Sequence, residues 1–278
     1  NNHGVDLPIL LDQATSIVTT SDAGAGVGYT GIRVRGSDAT RVNITINGIP
    51  FNDPESQGAY WVNMPDLSSS TDDIQIQRGI GASTTGASAF GASINLSTLS
   101  TVNANNPYGE IANSYGSFNT LKNTIKLGTG LIDGKWNFEG RLSKIVSDGF
   151  IDRSSSNLNS YYLSGSYLGE KTSIQAVIFS GQEITNQAWY GAPLSYLKSN
   201  VDSNQTYNPY DYENEVDNYN QTHYQLHFTN KPIKNLKLNA SFHYTRGKGY
   251  FEQYVGTDFN SVMYNSDYIF GKNLFSYY

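Results

Sequence analysis

From about residue 108 onward, apolar and polar side chains alternate with a period of two. Leu236, Leu238, Ala240, Phe242 and Tyr244 alternate with Lys237, Asn239, Ser241, His243 and Thr245. Trp136, Phe138 and Leu142 alternate with Asn137, Glu139, Arg141 and Ser143. Tyr224, Leu226 and Phe228 alternate with His223, Gln225, His227 and Thr229, and Tyr161, Leu163 and Tyr167 with Tyr162, Ser164 and Ser166. Successive side chains of a strand point to opposite faces, so each segment predicts a β-strand with one apolar and one polar face. Weaker alternation predicts further strands at Tyr108–Tyr115, Thr120–Leu127 and Ser173–Ser180, about seven in all. The connections alternate too. Leu131–Lys135, Gly169–Lys171 and Asn230–Asn235 are short, whereas Asp148–Asn159 and Glu183–Asn218 are long.

The first hundred residues read differently. Leu7–Ala14 suits a short helix or strand, Thr19–Thr30 a glycine-rich loop, and Ile32–Arg35 a short strand. Val42, Ile44 and Ile46 alternate with Asn43 and Thr45, and Asn47-Gly48 then supplies a tight turn. Ile49–Leu67 is a long polar and aromatic loop. Asp73–Arg78 and Ser93–Thr98 are strands. The change of texture at Asn103–Pro107 divides the chain into residues 1–102 and 107–278.

Composition narrows the class. Charged residues are only 15% and the hydrophobic fraction is 38%, while Tyr alone contributes 21 residues. Strands with a neutral polar face and aromatic edges have this make-up. With a net charge of −6 and no basic cluster, nucleic acid is not an expected partner. No cysteine is present, so thiolate metal sites and disulfides are excluded. No apolar run approaches the ~18 residues of a spanning helix, so a membrane form would be a barrel. A soluble β-sandwich also alternates. Strand length, aromatic strand ends and loop-length parity favour a barrel, with short turns in the periplasm and long loops outside.

Four segments of the first unit resemble the plug domain of TonB-dependent outer-membrane receptors. Gly31-Ile32-Arg33-Val34-Arg35-Gly36 is similar to the family's "IRG" strand. Val42 to Pro50 is similar to "vlvDGvp", with Asn47 in place of Asp. Ile74-Gln75-Ile76-Gln77-Arg78-Gly79 is similar to "IEvlrGp", with Ile80 in place of Pro, and Gly86 to Leu96 is similar to the closing "GsgAiGGvInI". The resemblance implies a mainly β fold: a small mixed α+β plug inside a large antiparallel transmembrane β-barrel. It also implies the cell outer membrane of a Gram-negative bacterium, in contact with outer-membrane lipid. The implied activity is import of a scarce solute, typically a ferric siderophore or similar chelate, cobalamin or an oligosaccharide. The implied partner is TonB, acting through a segment upstream of Asn1. A barrel of about eight strands is filled by its own side chains. Further strands are therefore expected beyond Tyr278, and an N-terminally incomplete plug is expected before Asn1. The alternative from another class is a surface-adhesion or structural outer-membrane barrel without import.

No catalytic set, cofactor site or metal site is expected. Gly24, Gly26 and Gly28 precede no convincing helix and are read as turn glycines. His223 and His227, four apart on a strand, lie ~13 Å apart and cannot share an ion. The expected ligand-binding residues are Asn52, Asp53, Tyr60 and Trp61 in the loop Ile49–Leu67, with Arg35, Trp189 and Tyr190. Aromatic groups beside a few polar ones recur in binding sites. Arg33 and Arg78 are expected to anchor the plug by ion pairs with wall carboxylates.

Overall fold

The computed structural model describes residues 4–80, 89–98, 106–198 and 205–254, and the backbone of 273–277. The N-terminal unit begins with a one-turn helix, α1 (Leu7–Leu10). Strands β1 (Ile17–Ser21) and β2 (Thr30–Val34) then pair antiparallel. The rest is a four-stranded sheet of β3 (Val42–Ile46), β4 (Ile49–Pro50), β5 (Asp73–Arg78) and β6 (Ala92–Ser97). Its order is β4-β3-β6-β5, with β3 and β6 parallel and the other pairs antiparallel. The β3–β4 turn places Asn47 and Gly48 at φ 57° and 78°, the left-handed pair that a two-residue hairpin requires. Val42, Ile44, Ile46, Ile94 and Leu96 form the centre of the core. All five residues of β3 are buried, Asn43 and Thr45 included, so this strand is covered on both faces.

The second unit is one antiparallel sheet. Its strands are β7 (Tyr108–Tyr115), β8 (Leu121–Gly128), β9 (Trp136–Ser147), β10 (Ser156–Leu168), β11 (Thr172–Asn186), β12 (Val216–Ile233), β13 (Leu236–Gln253) and β14 (Asn273–Tyr277). They pair in sequence order, with β7 and β14 at the edges. The seven expected strands are all present, joined by β14. Several run longer than alternation alone indicates: Ser156–Asn159, Glu183–Asn186 and Val216–Asn218 are strand rather than loop. Outward positions such as Asn157, Asn159 and Asn218 are polar here, so the apolar-out signal disappears while the backbone pairing continues. The glycine-rich stretch Thr19–Thr30 likewise holds parts of β1 and β2 around a tighter loop, Asp22–Tyr29.

The polarity of this sheet is inverted relative to a soluble protein. Ile111, Leu127, Phe138, Leu142, Leu163, Leu238 and Phe242 are exposed on one face. Thr124, Ser143, Ser147, Ser156, Ser160 and Arg141 are buried on the other, against the N-terminal unit. Trp136 packs on Tyr167 (ring centroids 4.8 Å) and stacks on Phe138 (6.3 Å) at the short-turn end of the outer face. An apolar outside, aromatic ends and a polar inside fit a wall that faces lipid and encloses a folded unit.

Candidate functional site

The inner unit touches the wall at two levels. The lower contact is ionic. Asp66 follows Pro65 in a chain of 3-10 turns and has left-handed φ (56°). This turn carries its carboxylate to the wall, where Lys122 Nζ on β8 lies 2.6 Å away and Arg141 Nη1 on β9 3.0 Å away. All three side chains are at most 3% exposed. Ser143 and Thr124 donate to the same carboxylate at 2.6 and 2.9 Å, as does Ser69 at 2.5 Å. Burial pushes the Asp66 carboxyl up, but the cations of Arg141 and Lys122 outweigh it and hold the group below its ordinary range. Around this point the contact is apolar. Trp61 is 4% exposed in a cluster that includes Tyr162, Val177 and Phe179 of the wall, and the phenol of Tyr162 donates to Thr98 O at 2.8 Å.

The upper contact lies at the long-loop end. Gly24, Gly26 and Gly28 all have positive φ, and a Cβ on Gly28 would strike Ser156 Oγ, so the loop Asp22–Tyr29 needs its glycines to lie on the wall. Phe150 N donates to Ala23 O at 2.7 Å. Tyr29 donates its hydroxyl hydrogen to Asp217 of β12 and meets Trp189 edge-on at 5.4 Å. Burial, then the charges of Glu183 and Asp217, push the Tyr29 phenol pKa up, so the donor stays protonated. Nearby, Asp6 is 3% exposed and accepts from Thr30 Oγ1 at 3.2 Å; burial pushes its pKa up to about 8. Above the contact, exposed Tyr190 stacks on Tyr210 (5.4 Å, 18°) beside a cavity of about 270 Å³. Arg153, Gln187, Tyr210, Asp211, Tyr212, Glu213 and Glu215 are among the groups lining it.

The expected site residues divide between these levels. Asn52 is spent on the backbone: Ile44 N donates to it at 2.7 Å, and it donates to Val42 O and Gln57 O, both at 2.9 Å. Asp53 caps its own turn, accepting from Glu55 N and Ser56 N. Tyr60 is 46% exposed, whereas Trp61 packs at the wall contact. Trp189 sits among Tyr29, Tyr210 and Phe251, and Tyr190 is open. Arg35 lies at the end of β2 remote from Tyr29, its guanidinium beside Gly79. Arg78 donates to Thr15 O at 3.0 Å inside the same unit, and Arg33 is exposed. Among the described residues neither pairs with a wall carboxylate. The ionic contact has the opposite sense, with the acid inside and the bases on the wall. Asp66, Lys122 and Arg141 were missed because alternation marks Lys122 and Arg141 as inward but cannot say what they meet. His223 and His227 both face inward, and His223 stacks on Phe179 at 4.6 Å.

The family described as "TonB-dependent Receptor Plug Domain" matches residues 4–93. The chain carries a TonB-dependent receptor plug domain. Solved receptors share the fold of plug and wall together. The ferric citrate transporter FecA in its unliganded form superposes with a TM-score of 0.68 at 18% identity, over 90% of this chain and 38% of that one. The siderophore receptor PiuA from Acinetobacter baumannii gives 0.69 at 16%, over 90% and 35%. The open form of the ferric-catecholate import receptor Fiu from E. coli K12 gives 0.63 at 17%, over 91% and 40%. The chain thus spans about two-fifths or less of the length of these structures. No curated protein sequence matches it. The plug domain therefore sits against the first strands of a barrel wall, as the sequence motifs and alternation anticipate.

Proposed function

We propose that this chain belongs to an outer-membrane active-transport receptor of a Gram-negative bacterium. The receptor captures a scarce solute at the long-loop end and imports it with energy transmitted by TonB through a segment upstream of the chain. The observation that carries this reading is the plug latched by Asp66 to Lys122 and Arg141 inside a wall with an apolar outer face. A permanently sealed barrel needs no separately folded plug, and an open pore would be obstructed by one. A plug held at a few polar points can be released by a pull and reseated. We place the plug at residues 1–102 and the start of the barrel at 107–278. Ligand contact falls to Tyr60, Asp53, Trp189 and Tyr190; Asn52 and Trp61 hold the loop that presents Tyr60. Arg78 steadies the plug by bracing the segment at Thr15, whereas neither Arg33 nor Arg35 meets a wall carboxylate among the described residues.

A ferric siderophore or similar chelate is the first solute class to test, since the names of FecA, PiuA and Fiu place their ligands there. The cavity beside Tyr190 brings three carboxylates and one arginine, and so favours chelates without net negative charge. The test is uptake by cells carrying or lacking the full-length receptor, with iron, cobalamin and glycans supplied singly. Receptor-dependent uptake that stops when the proton-motive force is collapsed supports the reading. Uptake that persists without that force, or no receptor-dependent uptake of any solute, overturns it.

A further inference from the structure

One row of the lipid-facing surface breaks the apolar pattern. Asn113 pairs in register with Asn123, Asn123 with Lys144, Lys144 with Asn159, Asn159 with Gln182, Gln182 with Asn220, and Asn220 with Lys248. Seven adjacent strands, β7 to β13, thus place an amide or a lysine at the same outward position. On β7, β8 and β9 these residues are bracketed by apolar ones along their own strands. Ile111 and Tyr115 flank Asn113, Leu121 and Ile125 flank Asn123, and Leu142 and Val146 flank Lys144. Ile111, Tyr115 and Leu142 are each more than 60% exposed, so on these three strands the row runs through the apolar surface. Asn113, Asn123, Lys144, Asn159, Gln182 and Asn220 also border a cavity of about 620 Å³ on this face.

Bare hydrocarbon is a poor solvent for such a row. A polar group in the lipid core without a hydrogen-bond partner costs several kcal/mol. Asn220 donates to Gly181 O at 3.1 Å. The side chains of Asn113, Asn123, Lys144, Asn159 and Gln182 have no hydrogen-bond or ion-pair partner among the described residues. The row lies in the half of each strand nearer the long loops, two residues from the loop end of β7 and four from that of β12. In the orientation of the proposed function this is the outer leaflet. The outward positions here carry Lys144, Arg246 and Lys248 and, among the described strand residues, one acid, Glu252, near the loop end of β13. The chain as a whole has a net charge of −6, so this face is locally cationic.

We propose that this row is a binding site for an anionic, phosphorylated lipid of the outer leaflet. Lys144 holds the phosphate as a point charge, with Arg246 and Lys248 extending the positive field. The amides of Asn113, Asn123, Asn159 and Gln182 satisfy the lipid's amide, ester and hydroxyl groups. Ile111, Ile125 and Leu142 take the acyl chains. The site rests on the outer-membrane reading but not on the identity of the imported solute.

The test uses the full-length receptor in phosphatidylcholine nanodiscs doped with lipid A or with its dephosphorylated form, followed by gentle release and native mass spectrometry. Wild type should retain lipid A over the dephosphorylated form, and added inorganic phosphate should not displace it. Lys144→Gln should weaken retention about ten-fold or more, the loss expected for one charge-assisted hydrogen bond, and Lys144→Arg should keep it. Heat-modifiable gel migration confirms that each variant is folded. Solute uptake by Lys144→Gln should match wild type, which separates this site from the transport reading. Equal retention by wild type and Lys144→Gln overturns the proposal. So does displacement by free phosphate, or a lipid-independent dimer that Asn123→Leu disperses, which would assign the row to a second copy of the chain.

Discussion

Asp66→Ala is the most direct perturbation of the plug's seat. The substitution removes one carboxylate that compensates two buried cations, and it leaves Lys122 and Arg141 facing each other with side chains 3% and 1% exposed. Removing one partner of a buried ion pair costs about 3–5 kcal/mol, because the remaining charge stays desolvated. The ratio of seated to unseated plug should therefore fall by about two to three and a half orders of magnitude. The assay is amide hydrogen exchange of β3 and β6 in the full-length receptor, with heat-modifiable gel migration showing that the barrel is intact. Replacing the whole triad by Asp66→Leu, Lys122→Met and Arg141→Met should recover most of the protection, because no unpaired charge remains. The pH dependence has a defined sign. A depressed Asp66 pKa means that its contribution is fully present above about 3.8, the unfolded value, and is lost only as pH falls through the lower folded value. The difference in protection between wild type and Asp66→Ala, with exchange corrected for its intrinsic rate, should thus be constant between about pH 5 and 8. Unchanged protection in Asp66→Ala with a folded barrel would refute the latch.

Other substitutions separate the two contact levels. Asp6 has a raised pKa of about 8, so its ionisation opposes folding increasingly as pH rises from about 4 to 8. Asp6→Asn should accordingly stabilise the plug at pH 8, by up to roughly 5 kcal/mol, and leave it little changed at pH 4, as read by urea titration. Trp61→Ala should cost about 3–5 kcal/mol of stability in thermal melts, because the indole fills the plug–wall contact; a wild-type melt would contradict its burial. Tyr190→Ala should weaken solute binding about ten-fold with no change in melting, since the ring is exposed and only stacks on Tyr210. Protease applied to intact cells should cut within 187–215 and spare Lys234–Asn235, and the reverse pattern would invert the topology.

Much of the architecture was legible in the sequence because membrane strands write it twice, in side-chain alternation and in loop length. The alternation from Leu236 to Tyr244 by itself gathers the apolar residues of that strand on one face. The plug was legible by motif rather than by period, since β3 is buried on both sides and Asn43 and Thr45 interrupt its apolar pattern without being exposed. The site was less legible. The aromatic loop Ile49–Leu67 suggested a binding platform, but an indole against a ligand and an indole against a wall leave the same trace in sequence. The Asp66 contact joins residues 56 and 75 positions apart, and nothing local marks Asp66 as different from Asp53. The outward row was hidden for a related reason: its members become neighbours only through the register of seven strands.

The hydroxyl lining of the wall has a mechanical consequence. Around Asp66, the surface that the plug would slide along presents Thr120, Thr124, Ser143 and Ser147, already hydrogen-bonded to one another at 2.8 and 3.0 Å. A hydroxyl that exchanges a protein partner for water changes its free energy little. Once the ionic contact yields, this hydroxyl stretch of the wall wets readily and adds no dewetting barrier of its own. Resistance is then concentrated at the Asp66 contact, the apolar patch around Trp61 and the upper contact at Tyr29. Such a seal is brittle rather than viscous: it yields at a few discrete points and not by continuous drag.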